Sequence, residues 1–129
     1  MLKPIDCHPF DEIFEHQDDT DGAVRYFNAT KLREYAREHC EFLICQTDPS
    51  FIEFVKARRG VEQWKVDRLE LPHLAEPALG VVMPDGETLI VDGHHRLVKW
   101  FEMGMDDYAI LRVPLGEWDD FLVDFSEFD

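Results

Sequence analysis

The chain has 129 residues, 45% of them hydrophobic, which is enough for one ordinary core and too little for two comfortable domains. Its 28 acidic and 13 basic residues give a formal net charge of −15, and this charge argues against direct DNA binding because DNA affinity depends on neutralising phosphates with Lys and Arg. No stretch approaches the roughly 18 apolar residues of a membrane span, and the first residues have no apolar signal core. Three cysteines without zinc-type spacing are typical of a reducing compartment, so we expect a cytoplasmic protein that has no membrane role.

The first half of the chain predicts short alternating elements. In chain order these are a helical turn or two over residues 9–15, an acidic loop at 17–22, a strand at 23–27, a helix capped by Asn28 or Thr30 and running through Cys40, and a short buried strand at 42–45. A further helix opens at Asp48-Pro49-Ser50, where Ser50 and Glu53 form a capping-box pattern, and it ends at Gly60. Its buried positions are predicted to be Phe51, Phe54 and Val55.

The second half predicts a hairpin, a helix and a strand. Residues 79–83 and 88–91 flank Pro84-Asp85-Gly86-Glu87, which is the turn chemistry of a β-hairpin. The helix around Arg96 turns four apolar side chains inward and ends at Gly104; these are Leu97, Val98, Phe101 and Met105. Residues 109–113 predict a strand, and residues 116–128 form an acidic, aromatic tail that is predicted to close as a helix.

These elements indicate an α+β fold, with a small mixed sheet and flanking helices. We expect one domain over residues 1–129. Within it, residues 1–65 form an N-terminal helical elaboration, residues 66–115 form the core, and residues 116–129 form the tail.

The run Asp92-Gly93-His94-His95-Arg96 lies where a strand passes through a glycine turn into a helix. A helix N-terminus leaves backbone N–H groups unpaired and carries partial positive charge, so it favours phosphate or carboxylate. Arg96 adds a planar fork of donors, and the two histidines donate, accept or titrate near neutral pH. The pattern therefore predicts an anion site at these five residues.

The same run, extended from Val91 to Leu97 and followed by a short helix and Gly104, resembles the signature of the ParB/sulfiredoxin superfamily over residues 79–113. The resemblance implies a ParB/sulfiredoxin-like fold and phosphate binding at Gly93, His95 and Arg96, with Asp92 and His94 as polar partners. Sulfiredoxins have a reactive cysteine where this chain has His94, so sulfinic acid reduction is not expected.

Partition proteins of the superfamily have Gly-Glu-Arg-Arg, and the substitutions at His94 and His95 argue against their CTP switching. The Asp-Gly-His-His-Arg spelling is more similar to free serine kinases and to stand-alone ParB-like proteins. The expected ligand is a nucleotide (ATP, ADP or CTP) with Mg²⁺, or another phosphorylated small molecule.

The resulting hypothesis is a phosphotransferase or NTP hydrolase in which Gly93, His94, His95 and Arg96 bind the ligand. Asp92 would share the Mg²⁺ ion, and Asp92, His94 and His95 are the candidate catalytic residues. A nuclease ranks lower because Asp92 alone is placed to hold its metals. Other interpretations stay open: Asp92 caps the turn, Arg96 neutralises a local carboxylate, and the histidines are ordinary polar residues at a helix start.

Two further features have alternatives. Glu70, His73 and Glu76 precede the motif and either form a pocket wall, with a metal or acid–base role, or belong to a solvated loop. The tail alternates aromatic and acidic residues, which suits a non-enzymatic protein that binds a basic protein partner or imitates the charge of DNA. Dense acidic charge that only maintains solubility is the simpler interpretation of the tail.

Overall fold

The structure, a computed structural model, describes residues 1–18, 22–58 and 60–126, with the backbone alone at residues 58, 71 and 73. The fold is α+β, as predicted. Its strands are β1 (Ile13–Gln17), β2 (Val24–Asn28), β3 (Phe42–Gln46), β4 (Ala78–Val82), β5 (Thr88–Asp92) and β6 (Asp107–Val113). Its helices are α1 (Ala29–His39), α2 (Pro49–Arg58), α3 (Gln63–Asp67), α4 (Leu71–Leu74) and α5 (His94–Glu102), with 3₁₀ turns at Pro4–Asp6 and Asp119–Phe121.

A mixed four-stranded sheet has the order β3-β6-β4-β5, and β1 pairs with β2 in a separate antiparallel sheet. In the larger sheet β4 runs parallel to β6, while the other two pairs are antiparallel. The predicted hairpin is confirmed, since β4 and β5 pair across a turn in which Gly86 has a φ of 87°. The motif strand β5 is therefore an edge strand, and its last residue, Asp92, leads directly into α5.

Alternate residues of each strand face opposite sides of the sheet, so the sheet carries a hydrophobic cluster on each face. The cluster on the α1 side includes Phe27, Leu32, Leu79, Val91, Leu111 and Trp118. The other cluster includes Ile52, Val55, Val66, Ile90, Leu97 and Trp100, which come mainly from α2, α3, α5 and the sheet. Since α5 packs on the second face while α1 packs on the first, the turn between β5 and α5 lies where the two layers meet.

The cap of α1 is Asn28, one of the two predicted candidates. Its Oδ1 accepts from the backbone N–H of Lys31 at 3.0 Å, and its Nδ2 donates to Asp11 Oδ2 at 2.9 Å. The residue is completely buried, so these bonds satisfy an amide that would otherwise be costly to bury. The cap fixes the start of α1, which buries Leu32 and Ala36 in the core.

The helical prediction for residues 9–15 is wrong, because the chain is extended from Ile13 and pairs with β2. The backbone N–H of Glu12 donates to Thr30 Oγ1 at 2.9 Å, and that of Ala29 donates to Glu12 O at 2.8 Å, so long-range bonds replace helical ones. Residues 19–21 of the predicted acidic loop lie outside the described residues. Residues 1–65 contain β1, β2 and β3, so "helical elaboration" describes them incompletely.

Two local predictions in the first half need correction. The strand predicted to be buried is the edge strand β3, and its Phe42 and Ile44 are 63% and 69% exposed. At α2 the side chain of Asp48, and not that of Ser50, accepts the first-turn bond, from the Ser50 N–H at 2.9 Å. The helix buries Ile52 and Val55 and leaves Phe54 exposed, because Phe54 lies outside the stripe that faces the sheet.

Two predictions in the second half also change. Met105 is exposed while Trp100 is buried, although α5 ends near Gly104 as expected. The described part of the tail forms only a 3₁₀ turn, because its backbone bonds to other segments: Val123 N–H donates to Tyr26 O at 2.8 Å. Residues 127–129 of the predicted closing helix lie outside the described residues.

Candidate functional site

A cleft of about 430 Å³ lies between β1 and the start of α5, and all five predicted site residues line it. Asp92, Gly93, His94, His95 and Arg96 form one side. The remaining lining residues are Glu12, Ile13, Phe14, Ala29, Lys65, Leu69 and Val91. The motif thus occupies a concave surface of the size that small-molecule sites have.

The turn requires glycine at position 93. Gly93 has a φ of 97°, in the left-handed region, and a Cβ added there would lie 3.0 Å from both Ala78 Cα and Arg96 Nη2. Its carbonyl accepts from the Leu97 N–H at 3.0 Å, which begins α5. The N-cap residue Gly93 has no side chain to cap this helix, and the first three helical residues, His94, His95 and Arg96, line the cleft.

Arg96 is largely buried, and the described residues use only part of its hydrogen-bonding capacity. Its Nη2 donates to Pro77 O at 3.2 Å and lies 3.9 Å from Asp92 Oδ2. Its Nε is buried and has no hydrogen-bond partner among the described residues. Burial lowers the pKa of the Arg96 guanidinium, and Asp92 opposes this effect. Arginine remains protonated, so the side chain presents a partly desolvated positive charge.

Asp92 is held by Arg33, a residue of α1 that the sequence analysis did not identify. Arg33 Nε and Nη2 lie 2.8 and 2.6 Å from Asp92 Oδ2, and Arg33 Nη1 donates to Pro77 O at 3.1 Å. The two residues are 59 positions apart, and no local pattern links them. Asp92 is thus an ion-pair partner, and its Oδ1 makes no hydrogen bond within the described part of the chain.

Glu76 is connected to this site by ion pairs with two arginines of α1. It pairs with Arg37 and lies 3.3 Å from Arg33 Nη1, and the hydrogen bond from Arg37 lowers the pKa of the Glu76 carboxyl. Glu70 is exposed, and the side chain of His73 lies outside the described residues. Within the described ranges no cluster of three or more His, Cys, Asp or Glu could hold a metal ion. Glu76 therefore belongs to a charge network.

The two histidines point in different directions. His94 stacks on Phe14, with ring centroids 5.6 Å apart. His95 Nε2 accepts from the Glu62 N–H at 3.2 Å, so its proton is on Nδ1. Burial lowers the pKa of His95, as does Lys65 to a smaller extent, while Glu62 raises it. At neutral pH His95 is thus a neutral link between α5 and α3.

The cleft residues that the sequence analysis did not identify include Glu12, Phe14, Lys65 and Leu69. Glu12 and Phe14 fall where a helix was predicted, and the other two fall between residues 61 and 77, where the sequence signal is mixed. The Lys65 ammonium lies 3.2 Å from Glu62 Oε1 at the α3 side of the cleft. The side chains around the cleft therefore combine two cations, Lys65 and Arg96, with two carboxylates, Glu12 and Asp92.

No protein-family profile, curated protein or solved structure matches this chain. The resemblance to the ParB/sulfiredoxin superfamily therefore stays a prediction that depends on the motif alone. In the described ranges no helix has the length and apolar character needed to cross a membrane.

Proposed function

We propose that this protein binds a nucleotide or another phosphorylated small molecule in the cleft, with a phosphate at the start of α5. The main support is that the nine-residue helix α5 has no side-chain cap among the described residues and opens into the cleft beside Arg96. The positive end of the helix dipole and a guanidinium then act on one point, and both favour an anion.

The carboxylates of the cleft favour a magnesium complex of the nucleotide (ATP, ADP or CTP) over the free anion. Asp92 Oδ2 accepts a hydrogen bond from Arg33, so its Oδ1 is the oxygen available to coordinate a metal ion. Glu12 lines the same cleft and supplies a second carboxylate. Mg²⁺ in proteins is commonly bound by one or two carboxylates together with substrate phosphates and water. The absence of a larger ligand cluster in the described residues is compatible with an ion that arrives with the phosphates.

The far wall of the cleft suits the organic part of such a ligand. Ile13, Phe14 and Leu69 supply apolar surface there. In a phosphotransferase or an NTP hydrolase, His94 would position the acceptor or water, because it lines the cleft at the first position of α5. His95 would act by holding α3 against α5, since its Nε2 already accepts the hydrogen bond from the Glu62 N–H. We further propose a cytoplasmic location, for which the three free cysteines are appropriate.

The test is a thermal-stability screen with ATP, ADP, CTP, GTP and inorganic phosphate, each with and without Mg²⁺. A ligand at a hundred times its Kd stabilises the folded state by about 2.7 kcal/mol. We expect ATP to shift the wild type, and Mg²⁺ to enlarge that shift; Arg112→Gln, which removes an exposed arginine of β6, should behave in the same way. The shift should vanish in Arg96→Gln. Equal shifts in both variants, or none with any ligand in the wild type, would contradict the proposal.

A further inference from the structure

We propose that Arg33 is a positioning residue for this anion site: it neutralises Asp92, so that Arg96 keeps hydrogen-bond donors for a phosphate. The inference rests on the proposed function and adds to it a residue from α1. Both guanidinium groups approach the same two acceptors, Asp92 Oδ2 and Pro77 O.

The distances show which arginine holds Asp92. Arg33 Nη2 and Nε lie 2.6 and 2.8 Å from Asp92 Oδ2, whereas Arg96 Nη2 lies 3.9 Å away. Arg33 is also the more buried of the two, with 11% of its side chain exposed against 18% for Arg96. Arg96 lies four residues after Asp92, across the Gly93 turn, so Asp92 is the carboxylate nearest to it along the chain. Because Arg33 holds Asp92 Oδ2 at hydrogen-bonding distance, Arg96 keeps only the longer contact of 3.9 Å with this carboxylate.

Arg96 is left with donors to spare. A guanidinium has five N–H groups, and the only hydrogen bond from Arg96 to the described residues is the one from Nη2 to Pro77 O. A buried donor without an acceptor, such as Arg96 Nε, is destabilising. An anion that hydrogen-bonds to the guanidinium would remove this free-energy cost.

The surrounding ion pairs leave Arg96 as the least closely paired of three neighbouring arginines. Asp92 and Glu76 are the carboxylates that face the arginine cluster most closely, and the cluster itself is Arg33, Arg37 and Arg96. Arg37 pairs with Glu76 and Arg33 pairs with Asp92, whereas the contact of Arg96 with Asp92 is longer, at 3.9 Å. Glu12 is the further carboxylate that acts on Arg96, from the β1 side of the cleft. In a chain with a net charge of −15 this loosely paired guanidinium lies at the start of α5.

The experiment compares Arg33→Gln, Asp92→Asn and the double variant, with Arg112→Gln, at an exposed position of β6 away from the cleft, as the control. The probe is ATP in EDTA, so that loss of a metal ligand at Asp92 does not enter the result. In Arg33→Gln, Asp92 captures Arg96 and the Kd should rise about tenfold or more. In the double variant Asp92 no longer competes, and affinity should return to within about threefold of the wild type. Arg112→Gln should match the wild type.

A second measurement needs no ligand. The Nε–Hε NMR signal of Arg96, assigned with Arg96→Lys, should shift in Arg33→Gln and return toward its wild-type position in the double variant. A purely structural role for Arg33 would not produce this recovery. Arg33→Lys keeps the charge but loses the planar fork, so it should give an intermediate shift and serves if Arg33→Gln does not fold.

The outcomes separate the two proposals. Wild-type affinity in Arg33→Gln, or an unchanged Arg96 signal in both Arg33 variants, would overturn the role of Arg33. If the wild type binds no phosphate compound while the Arg96 signal follows the expected pattern, the proposed function fails and the placement of Arg96 by Arg33 stands.

Discussion

The rings of Phe14 and His94 lie nearly parallel, with centroids 5.6 Å apart and an angle of 17° between the planes. Phe14 belongs to β1, which is outside the main sheet, and His94 is the first residue of α5. The stack thus connects the small two-stranded sheet to the helix that carries the anion motif. It also places the apolar side of the cleft, where Phe14 lies, next to the start of α5.

Phe14→Leu should weaken both the fold and the binding of the organic part of a ligand. Loss of the ring stack should lower the free energy of unfolding by about 0.5–1.5 kcal/mol, measured by urea denaturation. Calorimetry should show a greater loss of affinity for a nucleotide than for inorganic phosphate, because only the nucleotide extends to this wall. Phe10→Leu is the control, since Phe10 is 87% exposed. Equal losses for nucleotide and phosphate would contradict the assignment of the wall.

Gly93→Ala should be more destabilising than Gly86→Ala. Both glycines have positive φ, 97° and 87°, so each substitution carries a backbone penalty of about 1–2 kcal/mol. A Cβ at position 86 meets nothing within 4 Å, whereas at position 93 it meets Ala78 Cα and Arg96 Nη2 at 3.0 Å. The difference between the two variants in chemical denaturation measures this crowding. Equal destabilisation would show that the turn accommodates a side chain.

Local signals in the sequence predict the elements whose determinants lie close together in the chain. The β4–β5 hairpin follows from its turn residues, and α1 follows from the Asn28 cap. Burial of β3 could not be predicted in this way, because a short apolar strand looks alike at the edge and at the centre of a sheet. Strand order, which places β3 at the edge, is a property of the whole fold.

The same distinction applies to the candidate site. The residues from Asp92 to Arg96 are contiguous and follow a strand, so their meeting at one turn was predictable. Arg33 was not, since its guanidinium reaches Asp92 only because α1 packs on the opposite face of the sheet from α5. The pairing of His95 with the Glu62 backbone likewise depends on how α3 docks against α5.

His95 should make the stability of the protein decrease as the pH falls from neutral. Burial and Lys65 lower its pKa in the folded state, so below about pH 6.5, the ordinary histidine pKa, the unfolded chain takes up the proton first. The stabilisation is complete above that pH and is lost as the pH falls through the folded-state pKa. Protonation of Nε2 also removes the acceptor of the Glu62 N–H.

Urea denaturation at pH 7.5 and 5.5 should detect this effect in the wild type and a weaker one in His95→Gln, whose amide oxygen can still accept the Glu62 N–H. His39→Gln is the control, because His39 is exposed. The interpretation fails if the wild type and His95→Gln lose the same stability over this interval.

Trp118 provides the test of whether the acidic tail belongs to the core or offers its aromatic rings to a partner. The side chain is 3% exposed, packs against Phe27 with ring centroids 5.4 Å apart, and donates from Nε1 to Val82 O at 2.8 Å. Trp118→Phe removes this donor and part of the packing, so the free energy of unfolding should fall by about 1–3 kcal/mol. Trp64→Phe is the control, since Trp64 is 53% exposed and its loss should change stability much less. A negligible change in the free energy of unfolding of Trp118→Phe would favour the interpretation of the tail as a docking segment for a basic protein partner.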